Sequence, residues 1–135
     1  MTVTIPNIIV CPRSKASGYL YSPKTTIDYL ISINDSGDRP PAGYGLAKSR
    51  LILNFDDIEN LLDYPQCVPP KETYIQQIID FCKDIKEGTV LFHCFAGVSR
   101  SPAAALIFLA MLYGENKEDE AVSHLLSVLP NCCPN

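Results

Sequence analysis

Residues 89–113 constrain the fold of this chain more than any other stretch. Residues 89–92 form a short apolar run after Gly88, which predicts a buried strand. Residues 103–113 carry no charge and are rich in alanine and leucine, which predicts a buried helix. The loop between them consists mainly of small residues and runs into the start of the helix. Because loop amides and the helix dipole both attract negative charge, this strand, loop and helix predict an anion-binding cradle.

Two side chains make the cradle chemically active: Cys94 opens the loop and Arg100 closes it. A cysteine beside a helix N-terminus and a cation loses its proton well below the ordinary pKa of a thiol, and the thiolate is the nucleophilic form. The planar guanidinium of arginine binds two phosphate oxygens at once, which a lysine cannot imitate. Gly97 lets the loop backbone approach an anion closely. We therefore predict a loop that wraps a tetrahedral oxyanion, with the sulfur beneath it.

The cradle loop also resembles a known signature. Residues 93–102 are HCFAGVSRSP, and His-Cys-x-x-Gly-x-x-Arg-Ser resembles the signature of the cysteine-dependent protein tyrosine phosphatases. The fuller pattern His-Cys-x-Ala-Gly-x-Ser-Arg-Ser is similar to their dual-specificity branch, including small bacterial members. The resemblance implies that Cys94 is the nucleophile. It also implies a set of phosphate-binding residues, namely Phe95, Ala96, Gly97, Val98, Ser99 and Arg100.

The same resemblance implies roles for two neighbours. Ser101 would donate a hydrogen bond to the Cys94 sulfur and ease its departure; the alternative is a hydroxyl that caps the start of its own helix. His93 would orient the Cys94 region by hydrogen bonding. A histidine that is simply satisfied within the core is nearly as good an interpretation, and the two are compatible.

The resemblance further implies a general acid, because the leaving group of a phosphate monoester needs a proton that a thiolate cannot supply. In the family this acid is an aspartate on a separate loop that follows a strand. Residues 50–55 predict such a strand, and Asp56 and Asp57 follow it. The aligned strand and the Asp-Ile step favour Asp57 as the acid, with Asp56 second. The alternative is a carboxylate that caps a helix beginning at Ile58.

Strands and helices are predicted to alternate along the rest of the chain. Apolar runs predict strands within residues 7–11, 26–33 and 50–55, and a long surface loop lies between the last two, at residues 34–49. Residues 12–21 are interpreted as a loop or short helical turn. Solvated charges are the favoured interpretation of Arg13 and Lys15, and the alternative is that they border the pocket. This alternation predicts an α/β fold with a mainly parallel central sheet flanked by helices, as the phosphatase resemblance also implies. In such sheets ligands bind beyond the carboxyl ends of the strands.

Two further helices follow from apolar spacing. The first begins after Pro69 and Pro70 and ends near Gly88, with an apolar face formed by Tyr74, Ile75, Ile78, Cys82 and Ile85. The second is capped by Asn116 and runs to about Leu129, with an apolar stripe formed by Val122, Leu125, Leu126 and Leu129. Family members usually continue past this point with another helix, so the end at Asn135 indicates a truncated piece or a minimal variant.

Composition limits the partners of the chain. With 135 residues and 47% apolar content, we expect one domain, residues 1–135, with a substantial core. A net charge of −4 and a pI of about 5.0 argue against binding to nucleic acid or to an anionic membrane. The N-terminus lacks the features of a signal peptide, and residues 103–113 are too short to span a bilayer. We therefore expect a cytoplasmic protein.

Six cysteines raise the question of metal or disulfide bonds. Four are scattered and two are adjacent, so no zinc-type pairing is present; they are Cys11, Cys67, Cys82, Cys94, Cys132 and Cys133. In a reducing compartment most of them are expected to be small buried thiols, Cys82 among them. The predicted chemistry needs no metal and no organic cofactor.

Taken together, these residues predict a phosphomonoester hydrolase that works through a cysteinyl-phosphate, as the resemblance implies, with a protein tyrosine or dual-specificity phosphatase as the first interpretation. Phosphoinositide-directed members of the family often carry lysines between the cysteine and the arginine, whereas the residues between Cys94 and Arg100 carry no charge, so the resemblance argues against phosphoinositides. RNA 5′-phosphates and small phosphoesters stay open as substrates, and the sequence says nothing about oligomeric state. A phosphate- or phosphoprotein-binding module with little turnover is the main alternative. Sulfur transfer and arsenate reduction are weaker ones.

Overall fold

The computed structural model describes residues 5–56, 72–96 and 99–129, and its strands form one parallel sheet. The strands are β1 (Asn7–Pro12), β2 (Tyr29–Asn34), β3 (Ser49–Asn54) and β4 (Thr89–Cys94). Their order across the sheet is β1-β4-β2-β3, so the strand that leads to Cys94 lies between β1 and β2. Because parallel strands end at a common edge, the segments that follow all four strands meet around Cys94.

Helices cover both faces of this sheet, as the α/β prediction required. They are α1 (Arg13–Tyr21), α2 (Glu72–Cys82), α3 (Arg100–Tyr113) and α4 (Glu118–Val128), and a single 3₁₀ turn lies at Tyr44–Leu46. One apolar cluster joins α2, α3 and α4 to the sheet, and a second joins α1 to the opposite face. Along β4, Val90 and Phe92 belong to the first cluster and Leu91 to the second. Burial on both faces explains why β4 is a continuous apolar run.

Helix α3 is apolar on all sides because it lies between the sheet and the other helices. The rings of Phe108 and Phe92 are 6.0 Å apart, which anchors the middle of α3 on β4. Gly114 has a φ of +87°, and its N–H bonds to the carbonyl of Ala110, so the helix ends there. With its C-terminal half fixed in this way, α3 presents its N-terminus, at Arg100, to the strand edge that carries Cys94.

Helix α2 ends earlier than predicted. Its last residue is Cys82, and the chain then turns, with the Ile85 N–H bonded to the Cys82 carbonyl. Gly88 does not stop the helix but precedes β4 with a φ of +97°, and a Cβ there would lie 2.7 Å from Asp28 Oδ2. That oxygen accepts a hydrogen bond from the Thr89 N–H at 2.8 Å, so only glycine fits this approach.

The predicted apolar face of α2 is also wrong at one position. Ile75 is 46% exposed, whereas Ile78, Cys82 and Ile85 are buried. Tyr74 is half-buried and stacks on Phe55 with ring centroids 4.8 Å apart. Tyr74 therefore packs against the core, whereas Ile75, which the apolar spacing also predicted to be buried, faces solvent.

Helix α4 differs from its prediction at its start and in its face. Asn116 has a φ of +64° and lies before the helix, so it is not the cap. Ala121 and Leu125 are the buried residues, while Val122 and Leu126 are exposed. The face is rotated because small Ala121 permits close contact with the rest of the core, which apolar periodicity alone does not reveal.

Several predictions lie outside the described residues. They concern the helix beginning at Ile58 and three of the cysteines, Cys67, Cys132 and Cys133. Among the helices that the structure describes, none has the length and apolar content needed to cross a membrane.

Candidate active site

Cys94 is the last residue of β4, and its side chain is buried against the start of α3. The Ser101 hydroxyl, also fully buried, donates to the Cys94 sulfur at 3.2 Å. This is the contact that the sequence interpretation of Ser101 required. A donor at this distance lowers the energy of negative charge on sulfur, so the pair is suited to a thiolate that forms and is released during a reaction.

Arg100, the first residue of α3, is held rigidly by two acceptors. Its Nη1 donates to the Phe55 carbonyl at 2.6 Å and forms an ion pair with Asp35 Oδ1 at 2.8 Å. The side chain is only 9% exposed, and its buried Nε has no hydrogen-bond partner among the described residues. A buried donor left unpaired costs free energy, so this edge of the guanidinium is suited to an acceptor beyond the described residues, such as a bound oxyanion.

Only part of the predicted cradle loop is described. Phe95, Ala96 and Ser99 are exposed, and Gly97 and Val98 lie outside the described residues. Phe95 is 60% exposed, although its carbonyl is held at 3.1 Å by the backbone N–H of Arg13. Beside it is an open groove of about 460 Å³, lined by Arg13, Ser14, Ser17, Pro41, Ala42 and Phe95. The mouth of the site is therefore shaped by the β1–α1 junction as well as by the loop itself.

His93 precedes Cys94 and is fully buried on the α1 side of the sheet. Its Nε2 lies 2.6 Å from the Ser32 hydroxyl, and its Nδ1 lies 3.5 Å from the Cys94 carbonyl. Burial lowers the pKa of His93 from 6.5 to about 4; the Cys94 carbonyl opposes this shift, and the positive charges of Arg13 and Arg100 add to it. His93 is therefore neutral at physiological pH.

We expect this neutral histidine to make the protein less stable as the pH falls from about 6.5 to about 4. In that interval the unfolded chain binds a proton at His93 and the folded chain does not, so acid favours unfolding. The full effect is about 3 kcal/mol in the free energy of unfolding. Urea unfolding of wild type and His93→Gln at pH 7 and pH 4.5 measures it.

The His93→Gln variant should lose much less stability between those two pH values than wild type does. Asp28 also responds to acid, because the Thr89 N–H lowers the pKa of its carboxyl, but its effect begins at lower pH and is common to both proteins. Equal losses in the two proteins would contradict a neutral, buried His93.

The two candidate acids differ in what the structure says about them. Both carboxylate oxygens of Asp56 accept hydrogen bonds from Ser36, Oδ1 from the backbone N–H at 3.0 Å and Oδ2 from the hydroxyl at 2.7 Å. Through these hydrogen bonds Asp56 links the segments that follow β2 and β3. Asp57 lies outside the described residues, so its role as the acid stays a prediction. Within residues 5–56, 72–96 and 99–129, no cluster of three or more His, Cys, Asp or Glu side chains could hold a metal ion.

Comparison with known proteins finds similarity to protein phosphatases. No protein-family model matches the chain. The chain is 32% identical over 79 residues to Tyrosine-protein phosphatase YVH1 of Saccharomyces cerevisiae, which covers 52% of this chain and 22% of the relative. It is 34% identical over 88 residues to Dual specificity protein phosphatase 19 of Mus musculus, which covers 65% of this chain and 36% of the relative. The alignments thus span at most 36% of these curated relatives.

Solved structures match over nearly the whole chain. The crystal structure of DUSP15 aligns with a TM-score of 0.60 at 21% identity, covering 100% of this chain and 80% of that one. A human tyrosine phosphatase-like serine/threonine/tyrosine-interacting protein aligns with a TM-score of 0.58 at 20% identity, covering 97% and 86%. The solved structures show that the chain has the same fold, and its similarity to named relatives supports the dual-specificity-like branch of the cysteine-dependent protein tyrosine phosphatases. Its relation to small bacterial members stays a prediction, because the two relatives above come from yeast and mouse.

This dual-specificity-like site contains residues that sequence interpretation missed. Asp35, which pairs with Arg100, and Asn34 both follow directly from the apolar run of β2. Ser32 is a polar residue within that run and is fully buried. Polar residues at the carboxyl end of a buried parallel strand were the available signal.

The interpretation of Arg13 as a solvated loop charge is wrong. Its guanidinium is half-buried and donates from Nη1 to Asn34 Oδ1 at 2.7 Å. The loop interpretation failed because residues 13–21 form helix α1, which turns its first residue back over the end of β2.

Proposed function

We propose that this chain is a phosphomonoester hydrolase that acts on phosphorylated proteins through a cysteinyl-phosphate intermediate. The observation that carries the proposal is the Arg100 side chain, which is fixed through Nη1 and whose buried Nε has no partner in the part of the chain that the structure describes. A guanidinium held in this way loses little further freedom when it binds an oxyanion, and it can use a free edge for phosphate oxygens. Binding alone would not require Cys94 with a hydrogen-bond donor on its sulfur, and this chain has both.

The proposed reaction has two steps. The Cys94 thiolate attacks phosphorus in line and breaks the bond to the leaving oxygen, which takes a proton from Asp57. Arg100 and the loop amides of residues 95–100 hold the three equatorial oxygens while charge is redistributed. Water, deprotonated by Asp57, then attacks the cysteinyl-phosphate and releases inorganic phosphate. Ser101 donates to the departing sulfur and stabilises the thiolate that is regenerated.

The proposed substrate class is phosphotyrosine in proteins, with phosphoserine and phosphothreonine as further candidates. The uncharged residues between Cys94 and Arg100 offer no additional cations for a polyphosphorylated headgroup. The groove beside Phe95 is open and mixed in character, which suits the peptide segment that flanks a phosphorylated side chain. The names of the relatives given above, a tyrosine and a dual-specificity protein phosphatase, support the same class. Small phosphoesters and RNA 5′-phosphates are the substrates to compare.

We also propose that the protein works in the reducing environment of the cytoplasm. Within the described ranges, Cys11, Cys82 and Cys94 form no disulfide bonds with one another. Burial raises the pKa of the Cys11 and Cys82 thiols to about 12, so both are inert. A nucleophilic thiolate at Cys94 needs a compartment that keeps it reduced.

Turnover of p-nitrophenyl phosphate, measured with and without a chelator, tests the proposal. We expect hydrolysis in the presence of reductant, unchanged by EDTA, and a higher kcat/KM for a phosphotyrosine peptide than for glycerol phosphate or an RNA 5′-phosphate. Absence of turnover in pure, reduced protein that still binds vanadate would favour a binding module. A clear preference for the RNA 5′-phosphate would overturn the proposed substrate class.

A further inference from the structure

We propose that Arg13, Asn34 and Ser32 are positioning residues that act on the nucleophile through His93, by holding its ring as the tautomer protonated at Nδ1. This inference rests on the proposed hydrolase function. It concerns three residues outside the signature loop, two on β2 and one at the start of α1. Their polar atoms form one continuous chain of hydrogen bonds on the α1 side of the sheet.

The direction of every proton in this chain follows from its first member. A guanidinium only donates, so the Asn34 atom that lies 2.7 Å from Arg13 Nη1 must be the amide oxygen. The Asn34 nitrogen then lies 2.9 Å from the Ser32 hydroxyl oxygen and donates to it. The same nitrogen approaches two backbone carbonyls, of Ser32 at 3.3 Å and of Leu53 at 3.4 Å, which fits a donor and not an acceptor.

The histidine tautomer is the next consequence. The Ser32 oxygen accepts from Asn34, and among the described residues the one acceptor within reach of its own proton is His93 Nε2, 2.6 Å away, so Ser32 donates to His93. Nε2 is therefore an acceptor without a proton. A neutral imidazole carries its one proton on the other nitrogen, which is Nδ1. The Nδ1–H faces the Cys94 carbonyl at 3.5 Å, a distance that needs only a small closure to become a good hydrogen bond.

The orientation of the Cys94 carbonyl also sets the orientation of the Phe95 N–H, the first amide of the cradle. The Cys94 carbonyl and the Phe95 N–H belong to one planar peptide unit and point in opposite directions. A ring that fixes the carbonyl thus aims the Phe95 N–H, one of the proposed phosphate donors. Arg13 holds the next carbonyl as well, because its backbone N–H donates to Phe95 O at 3.1 Å. Arg13 therefore contributes to the peptide units on both sides of Phe95.

The sheet offers a matched pair of asparagines for the test. Asn34 and Asn54 are register partners at the ends of β2 and β3. Asn54 donates to the backbone carbonyls of Asp35 at 3.1 Å and Asp38 at 2.8 Å and does not belong to the chain that leads to His93. Asn34→Asp and Asn54→Asp each exchange an amide for an isosteric carboxylate at the same end of the sheet.

In Asn34→Asp the carboxylate keeps Arg13 as a partner but cannot donate to Ser32. The Ser32 hydroxyl then donates to the carboxylate, and the single ring proton of neutral His93 moves from Nδ1 to Nε2, from which it is donated to Ser32. We expect two-bond ¹⁵N–¹H correlation spectra of histidine-labelled protein to show Nδ1–H in wild type and in Asn54→Asp, and Nε2–H in Asn34→Asp. We expect kcat for a phosphotyrosine peptide to fall roughly ten- to a hundredfold in Asn34→Asp, with a smaller change in KM.

Ser32→Ala is the second variant, for the case in which the buried carboxylate prevents folding. It removes the donor to Nε2, so we expect a mixture of tautomers and a similar loss of kcat. An Nε2–H ring in wild type would overturn the inference, and so would a folded Asn34→Asp or Ser32→Ala with an unchanged tautomer and kcat. The tautomer is read without turnover, so an inactive wild type would refute the hydrolase proposal separately.

Discussion

Replacing Cys94 with serine should abolish turnover of p-nitrophenyl phosphate and leave oxyanion binding nearly intact. A serine hydroxyl is almost never ionised at neutral pH, so the variant lacks its nucleophile, and losses of at least about ten-thousandfold in kcat are typical of such changes. The fold should persist because serine is slightly smaller than cysteine and Ser101 remains a hydrogen-bond partner for it. Steady-state hydrolysis measured beside vanadate binding separates the two effects.

Cys82→Ser is the matched control for this experiment. Cys82 is equally buried, but it lies at the end of α2 in the first apolar cluster and is not one of the proposed catalytic residues. Its substitution buries a hydroxyl without a partner, so we expect a loss of about 1–3 kcal/mol in the free energy of unfolding and turnover close to wild type. Substantial activity in pure, reduced Cys94→Ser would remove Cys94 as the nucleophile.

Asp57→Asn should lower turnover of a phosphotyrosine peptide by roughly a hundredfold or more, the usual scale for loss of a general acid. The basic limb of the pH–rate profile should flatten, because that limb reports loss of the proton on the acid. With p-nitrophenyl phosphate the loss should be smaller, since its leaving group needs less help from a proton. Initial rates from pH 5 to pH 8 on both substrates measure these effects.

Asp56→Asn is the control beside it. Because both oxygens of Asp56 are engaged by Ser36, we expect this variant to keep the pH–rate profile and to lose about 1 kcal/mol in the free energy of unfolding. If Asp56→Asn flattens the basic limb and Asp57→Asn does not, the assignment is one residue out of register. If neither variant changes the limb, the acid lies elsewhere in the chain.

Local sequence patterns were sufficient to predict the strands. Continuous apolar runs marked β1, β2, β3 and β4, because strands of a parallel sheet are buried on both faces. The face of α4 could not be predicted in the same way. Val122 and Ala121 are adjacent, and which of them turns inward depends on how closely the helix approaches α3.

In the candidate site, too, the residues close in sequence were predicted and those from distant segments were not. Cys94, Arg100 and Ser101 lie within one short segment, so a single motif predicted that they come together. Asp35 and Asn34 reach this segment from another strand, and only the strand order brings them there. Apolar periodicity marks where a strand is, and it carries no information about which strand is its neighbour.

The central place of β4 has a consequence for how the protein folds. This strand is the last of the four in the chain, yet it pairs with the first, Asn7 opposite Thr89, and with the second, Tyr29 opposite Val90. Contacts between such distant residues form slowly, because the entropy cost of closing a long loop precedes the stabilising contacts. A chain with β1, β2 and β3 already collapsed would still have a gap where β4 belongs. Catalytic competence should therefore appear only when β4 enters that gap, as one of the final events of folding.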